Sequence, residues 1–185
     1  MSRPALRFHP SARLLHWLMA PLVLAMLFIG IGMLSTTTSA YALLLAIHKP
    51  LGATILALVL VRIVVRLRHR APPLPADLPR VQRSAATASH WLLYALMLLM
   101  PLSGWAMLSA AGYPVTLFAG IQLPPIAPHD AALFAWLRGA HHWLALLLFA
   151  TFLLHLAAAL FHGLIRRDGV LASMAPWLRR RRRRD

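Results

Sequence analysis

The sequence predicts an all-α membrane protein, a four-transmembrane-helix bundle, and three observations carry that prediction. Hydrophobic side chains make up 60% of the 185 residues, with a mean hydropathy of +0.69, which is too apolar for an ordinary soluble domain. Four apolar runs each approach the roughly 20 residues that cross a bilayer as helix. The carboxylates are Asp77, Asp130, Asp168 and Asp185, with no glutamate, and none of them falls inside an apolar run. The length is that of one domain, so residues 1–185 are read as a single membrane domain.

The first run, LLHWLMAPLVLAMLFIGIGML, covers residues 14–34, and the second, LLLAIHKPLGATILALVLVRIVV, covers 43–65. The prolines of APPLPADLP interrupt helix after the second run. The third run, ATASHWLLYALMLLMPLSGWAMLSAA, covers 86–111, and the fourth, GAHHWLALLLFATFLLHLAAALFHGLI, covers 139–165. In lipid every backbone polar group must be satisfied within the protein, so each run is expected to be helical. The first run is preceded by arginines and followed by STTTSA, which superficially resembles a signal peptide. Its apolar stretch exceeds the roughly 7–15-residue core of such a signal, and it is read as a retained span.

Seventeen of the nineteen basic residues fall before run one, at or beyond the end of run two and before run three, or after run four; Lys49 and Arg138 are on the other side. The positive-inside rule therefore places both termini and the middle loop in the cytoplasm of a multi-pass protein. The basic tail from 166 to 185, ending in RRRRRR, is expected to contact anionic lipid rather than nucleic acid, because it follows a membrane helix. The absence of cysteine excludes disulfides, thiolate-held clusters and covalent haem attachment through C-x-x-C-H.

Ten histidines remain to be placed. His9, His69 and His129 fall in loops and are expected to be solvated. The other seven lie in or at the spans, where ionisable groups are rare and usually face the bundle interior with a partner. His141 and His155 are 14 residues apart, so on one helix they share a face to within about 40° and stand about 21 Å apart. His142 is about 140° out of phase with His155, which makes His141 the member of the adjacent pair that faces inward with it. Each needs a counterpart at its own depth. His16, near the cytoplasmic start of run one, matches His155; His48, near the outer start of run two, matches His141. Two cross-helix imidazole pairs at two depths are what two bis-histidine haems in a bundle require. Gly52 and Ala157–Ala159 are positions where a flat ring, or simply a neighbouring helix, fits.

These residues carry a resemblance. HWL at 16–18, IHKPLGATILALVLVRIVVRL at 47–67, SHWLLYALMLLMPLSGW at 89–105 and the helix ending HLAAALFH at 155–162 resemble the bacterial four-helix di-haem cytochrome b561 family, which includes superoxide oxidases. The resemblance spans nearly the whole chain, except the arginine tail and part of the outer loop. It implies two haem b groups in the bacterial inner membrane, with His16, His48, His141 and His155 as axial ligands. It also implies a quinone site, for ubiquinone, at the cytoplasmic side and, for a superoxide oxidase, electron entry at the periplasmic side.

An iron with two imidazole ligands has no open position, so it suits single-electron transfer and outer-sphere chemistry. Lys49 beside His48, and Arg138 three residues before His141, would concentrate a small anion such as superoxide near the outer pair; both could equally be interfacial cations reaching headgroups. His162, seven residues beyond His155, lies on the same face about 10 Å nearer the cytoplasm. It is the candidate to hydrogen-bond and protonate a quinone carbonyl, with Arg80 and His90 closing the pocket. The segment PADLPR departs from the basic linker associated with superoxide oxidases, which weakens the quinone assignment relative to the haem assignment. The alternative is a cytochrome b subunit passing electrons between quinone and a partner dehydrogenase or hydrogenase docked on the loop YPVTLFAGIQLPPIAPHDAALFAW. A metal-ion transporter is disfavoured because such proteins usually place carboxylates within the span.

Overall fold

Four long helices pass back and forth through the computed structural model, which describes residues 7–75, 77–117 and 120–178. Helix α1 is Pro10–Ser35, α2 is Ser39–Arg68, α3 is Arg80–Ala110 and α4 is Ala131–Leu160. All four are long and apolar enough to cross a membrane, so the fold is the four-span bundle that hydropathy predicts. Arg3 and the terminal arginines 179–184 fall outside the described residues.

Local chemistry sets the helix ends. Pro10 opens α1 at a position where its missing N–H costs nothing, and the Thr38 hydroxyl accepts from the Ala40 amide at the start of α2. α4 begins at Ala131, eight residues before the apolar run, because the Asp130 carboxylate accepts from the Leu133 amide at 2.7 Å and caps it. α3 begins at Arg80, directly after Pro79. Pro21, Pro50 and Pro101 lie inside α1, α2 and α3, where neighbouring helices make the lost backbone bond tolerable.

α1 packs on α2, α2 on α3, and most extensively α3 on α4. No comparable packing joins α4 to α1 or to α2 among the described residues. The buried core is a thin layer of Val23 and Leu27 from α1, Ile55 from α2, Leu96 from α3 and Leu148 from α4. The outer surface is apolar, with Phe28, Leu34, Leu43, Leu67, Trp143 and Leu154 all well exposed, as a lipid-covered bundle requires.

The loop between α3 and α4 holds a two-residue-per-strand hairpin, β1 (Val115–Thr116) against β2 (Gln122–Leu123). It is tied to the end of α3: the Trp105 indole donates to the Pro124 carbonyl at 2.9 Å, and the Ile126 amide donates to the Ser109 hydroxyl at 3.1 Å. At the other end α4 runs into a π-helical turn, Phe161–Arg166, and then the short helix α5, Val170–Met174. The proximal part of the basic tail is thus folded. Trp17 donates to the Met174 carbonyl at 3.1 Å and packs against Trp177, which fastens this segment to the start of α1.

Candidate functional site

Leu148 stands midway between His141 and His155, seven residues from each, and Ile55 and Val23 lie seven residues after His48 and His16. The buried layer therefore separates two histidine levels, each about two turns away. At one level His16 of α1 faces His155 of α4, with ring centres 6.4 Å apart; at the other His48 of α2 faces His141 of α4 at 6.3 Å. These pairs bridge α1 to α4 and α2 to α4, two helix combinations without close backbone packing among the described residues.

The geometry fits a flat metal complex held from both sides. An iron between two imidazoles, with bonds of about 2 Å, sets the ring centres roughly 6–6.5 Å apart. No group of three or more His, Cys, Asp or Glu able to hold a bare metal ion occurs among the described residues. A macrocycle that brings its own four nitrogens needs only the two that each pair offers. The Nδ1 atoms of His16 and His48 are buried without a hydrogen-bond partner among the described residues, a state that a closed apolar core avoids.

His141 is oriented more tightly. The Ser103 hydroxyl donates to the Met100 carbonyl at 2.9 Å, so toward His141 Nδ1, also 2.9 Å away, it acts as acceptor. Nδ1 therefore carries the ring proton and Nε2 keeps its lone pair for a metal. One residue along, a methyl group on Gly104 would come within 3.2 Å of His141 Cε1, so glycine leaves the ring its place. Sequence reasoning missed both residues. Gly52, read as room for a ring or a neighbouring helix, faces Met26 of α1.

His90 lies beside His155, with ring centres 5.5 Å apart, and no ring contact joins it to His162 among the described residues. His162 Nδ1 donates to Asp168 Oδ2 at 2.5 Å. Arg166 Nε donates to the same oxygen at 3.0 Å, and its Nη2 reaches Asp77 in the α2–α3 linker at 2.5 Å. Burial alone would raise the Asp168 carboxyl, but hydrogen bonds from His162, the Val170 amide and Arg166 outweigh it and hold the group below the usual carboxylate range. The turn that makes this contact uses left-handed backbone at Arg167 and Gly169. Arg80, at the first turn of α3, is exposed and no contact joins it to His162. At the opposite end Lys49 is half-buried next to His48, and Arg138 is exposed one turn before His141. Of the three loop histidines, His9 and His129 are exposed, as expected of solvated rings, and His69 is half-buried; His9 stacks on His69 at 3.8 Å.

A four-span bundle with paired imidazoles at two depths points to a membrane electron-transfer protein of the haem-binding kind. The family model for prokaryotic cytochrome b561 matches residues 7–177, and the chain belongs to that family, whose members are haem b oxidoreductases of bacterial membranes. Cytochrome b561 homolog 1 of Escherichia coli strain K12 is 27% identical over 178 residues, covering 92% of this chain and 97% of the relative. Cytochrome b561 homolog 2 of the same strain is 30% identical over 162 residues, 86% of each chain. The probable superoxide oxidase CybB of Yersinia pestis is 32% identical over 131 residues, 70% of this chain and 73% of that one.

Proposed function

We propose that this chain is one membrane domain that oxidises superoxide at the periplasmic face and reduces ubiquinone at the cytoplasmic face. Two haem b groups would be held by His48 with His141 and by His16 with His155. The observation that carries the reading is the pair of opposed imidazoles at 6.4 and 6.3 Å, both using α4 at positions 14 residues apart. Similarity to a probable superoxide oxidase supports the choice of donor, and the positive-inside rule supports the orientation, with both termini cytoplasmic. When bound, such a haem accepts and releases one electron without opening a coordination position.

The chain's own residues do the rest. Lys49 and Arg138 place positive charge at the outer end and raise the encounter rate of an anion. At the inner end the Asp168 carboxylate accepts from His162 Nδ1 and fixes the ring, leaving Nε2 as the atom that faces the quinone. A proton that Nε2 relays from the cytoplasmic side would be the one donated to the quinone carbonyl. Arg80 and His90 would close the inner site. The balance is two superoxide anions giving two dioxygen molecules, with two electrons and two cytoplasmic protons converting one quinone to quinol. A second reading, a cytochrome b subunit serving a partner redox protein, draws on the exposed Tyr113, Ile121 and Ile126 of the α3–α4 loop.

The test is stopped-flow mixing of the purified chain with superoxide and a soluble ubiquinone analogue. Fast haem reduction followed by quinol formation is expected. A chain with both haems intact that superoxide does not reduce would leave the partner-subunit reading in its place.

A further inference from the structure

Arg62 is a half-buried cation in the last two turns of α2, with no carboxylate to meet it among the described residues. It lies 14 residues after His48 on α2, the same spacing that separates His141 from His155 on α4. Both helices run in the same direction, from the His48–His141 end to the His155 end, so Arg62 reaches the inner level on the face of α2 that carries His48. It is close enough to His16, His90 and His155 to act on each electrostatically. Its Nε donates to the Tyr94 hydroxyl at 3.3 Å and its guanidinium sits 5.8 Å from the centre of that ring. Its Nη1 is buried with no hydrogen-bond partner among the described residues.

A buried, incompletely paired guanidinium is costly unless an anion faces it. Among the described residues none is free to do so: Asp77 and Asp168 are engaged by Arg166 and His162, and Asp130 caps α4 at the other end. A quinone is neutral and does not supply the missing charge. Haem b carries two carboxylate side chains and does.

We propose that Arg62, braced by Tyr94, is the counter-ion for a carboxylate side chain of the inner haem, fixing that haem and raising its reduction potential. The proposal rests on the haem reading above. Arg62 acts as a positioning and electrostatic residue, since the iron bonds belong to the histidines.

The test is anaerobic redox titration of the purified full-length chain, wild type against R62Q, R62K and Y94F, with haem content measured on each. Removing the cation is expected to lower one of the two one-electron waves by at least tenfold in reduction equilibrium, about 59 mV for a single electron, and to leave the other in place. R62K should restore most of the shift, and Y94F should move the same wave by less. Redox-difference infrared spectra of protein carrying carboxyl-labelled haem should show a changed carboxylate band in R62Q. Two unmoved waves in R62Q, or a lowered wave with no change in the labelled band, would overturn the pairing. Should R62Q lose its haem, Y94F carries the test alone, and an unmoved wave there would overturn the proposal. A wild-type protein with no haem would instead remove the cofactor reading on which it stands.

Discussion

Ser103 leaves His141 with one free nitrogen, and that small fact decides what a substitution there does. Ser103→Ala removes the acceptor for Nδ1–H, and loss of such a supporting bond typically weakens a metal site roughly 10–100-fold. Faster loss of one haem to an apoprotein acceptor, with the other retained, is the expected result. Replacing His48 by alanine should likewise remove one haem equivalent, measured as the pyridine haemochrome; retention of both would undo the pairing. The four paired histidines were legible in the sequence because a 14-residue spacing fixes both face and depth on a helix. Ser103 and Gly104 were not, since their roles depend on how α3 meets α4. Arg62 had a readable signal, the same 14-residue interval from His48, hidden beneath its more obvious value as a topological cation.

At the scale of elements, the turn from α4 into α5 is where sequence reading ran out. Hydropathy gave the four spans, but the boundary of α4 lay with the Asp130 cap, outside the apolar run, and nothing in FHGLIR announces a π-helical turn. Such turns often mark functional positions, and this one carries His162. Asp168 ties it down, and its depressed carboxyl sets the pH dependence. The bond contributes fully above the unfolded carboxylate pKa of about 4 and is lost as pH falls through the lower folded value. A spin label on a cysteine introduced at Ala172, in a chain with no cysteine of its own, should stay immobile at neutral pH and loosen only in strong acid. Asp168→Asn should loosen the same label already at neutral pH. Asp77→Asn should do so weakly, since that carboxylate is mostly exposed and exposed pairs add little.

Across the whole molecule, the apolar layer of Val23, Leu27, Ile55, Leu96 and Leu148 is the partition between the two histidine levels. Leu96 is 1% exposed and central to that layer, so Leu96→Ala should cost about 2–5 kcal/mol. The expected readout is a lower temperature of haem loss for both sites together; loss at one alone would mean that the layer does not couple them. The orientation inferred from arginine placement predicts that a reporter fused after residue 178 is active only in the cytoplasm. The order of the spans has a consequence for biogenesis. Because α4 supplies one imidazole to each pair, a nascent chain possesses neither complete pair until its last span has left the ribosome. On the proposed ligand set, cofactor loading would follow synthesis of α4 and strike both levels within one window, and a ribosome stalled before residue 141 would leave an apoprotein that no supply of iron porphyrin could rescue.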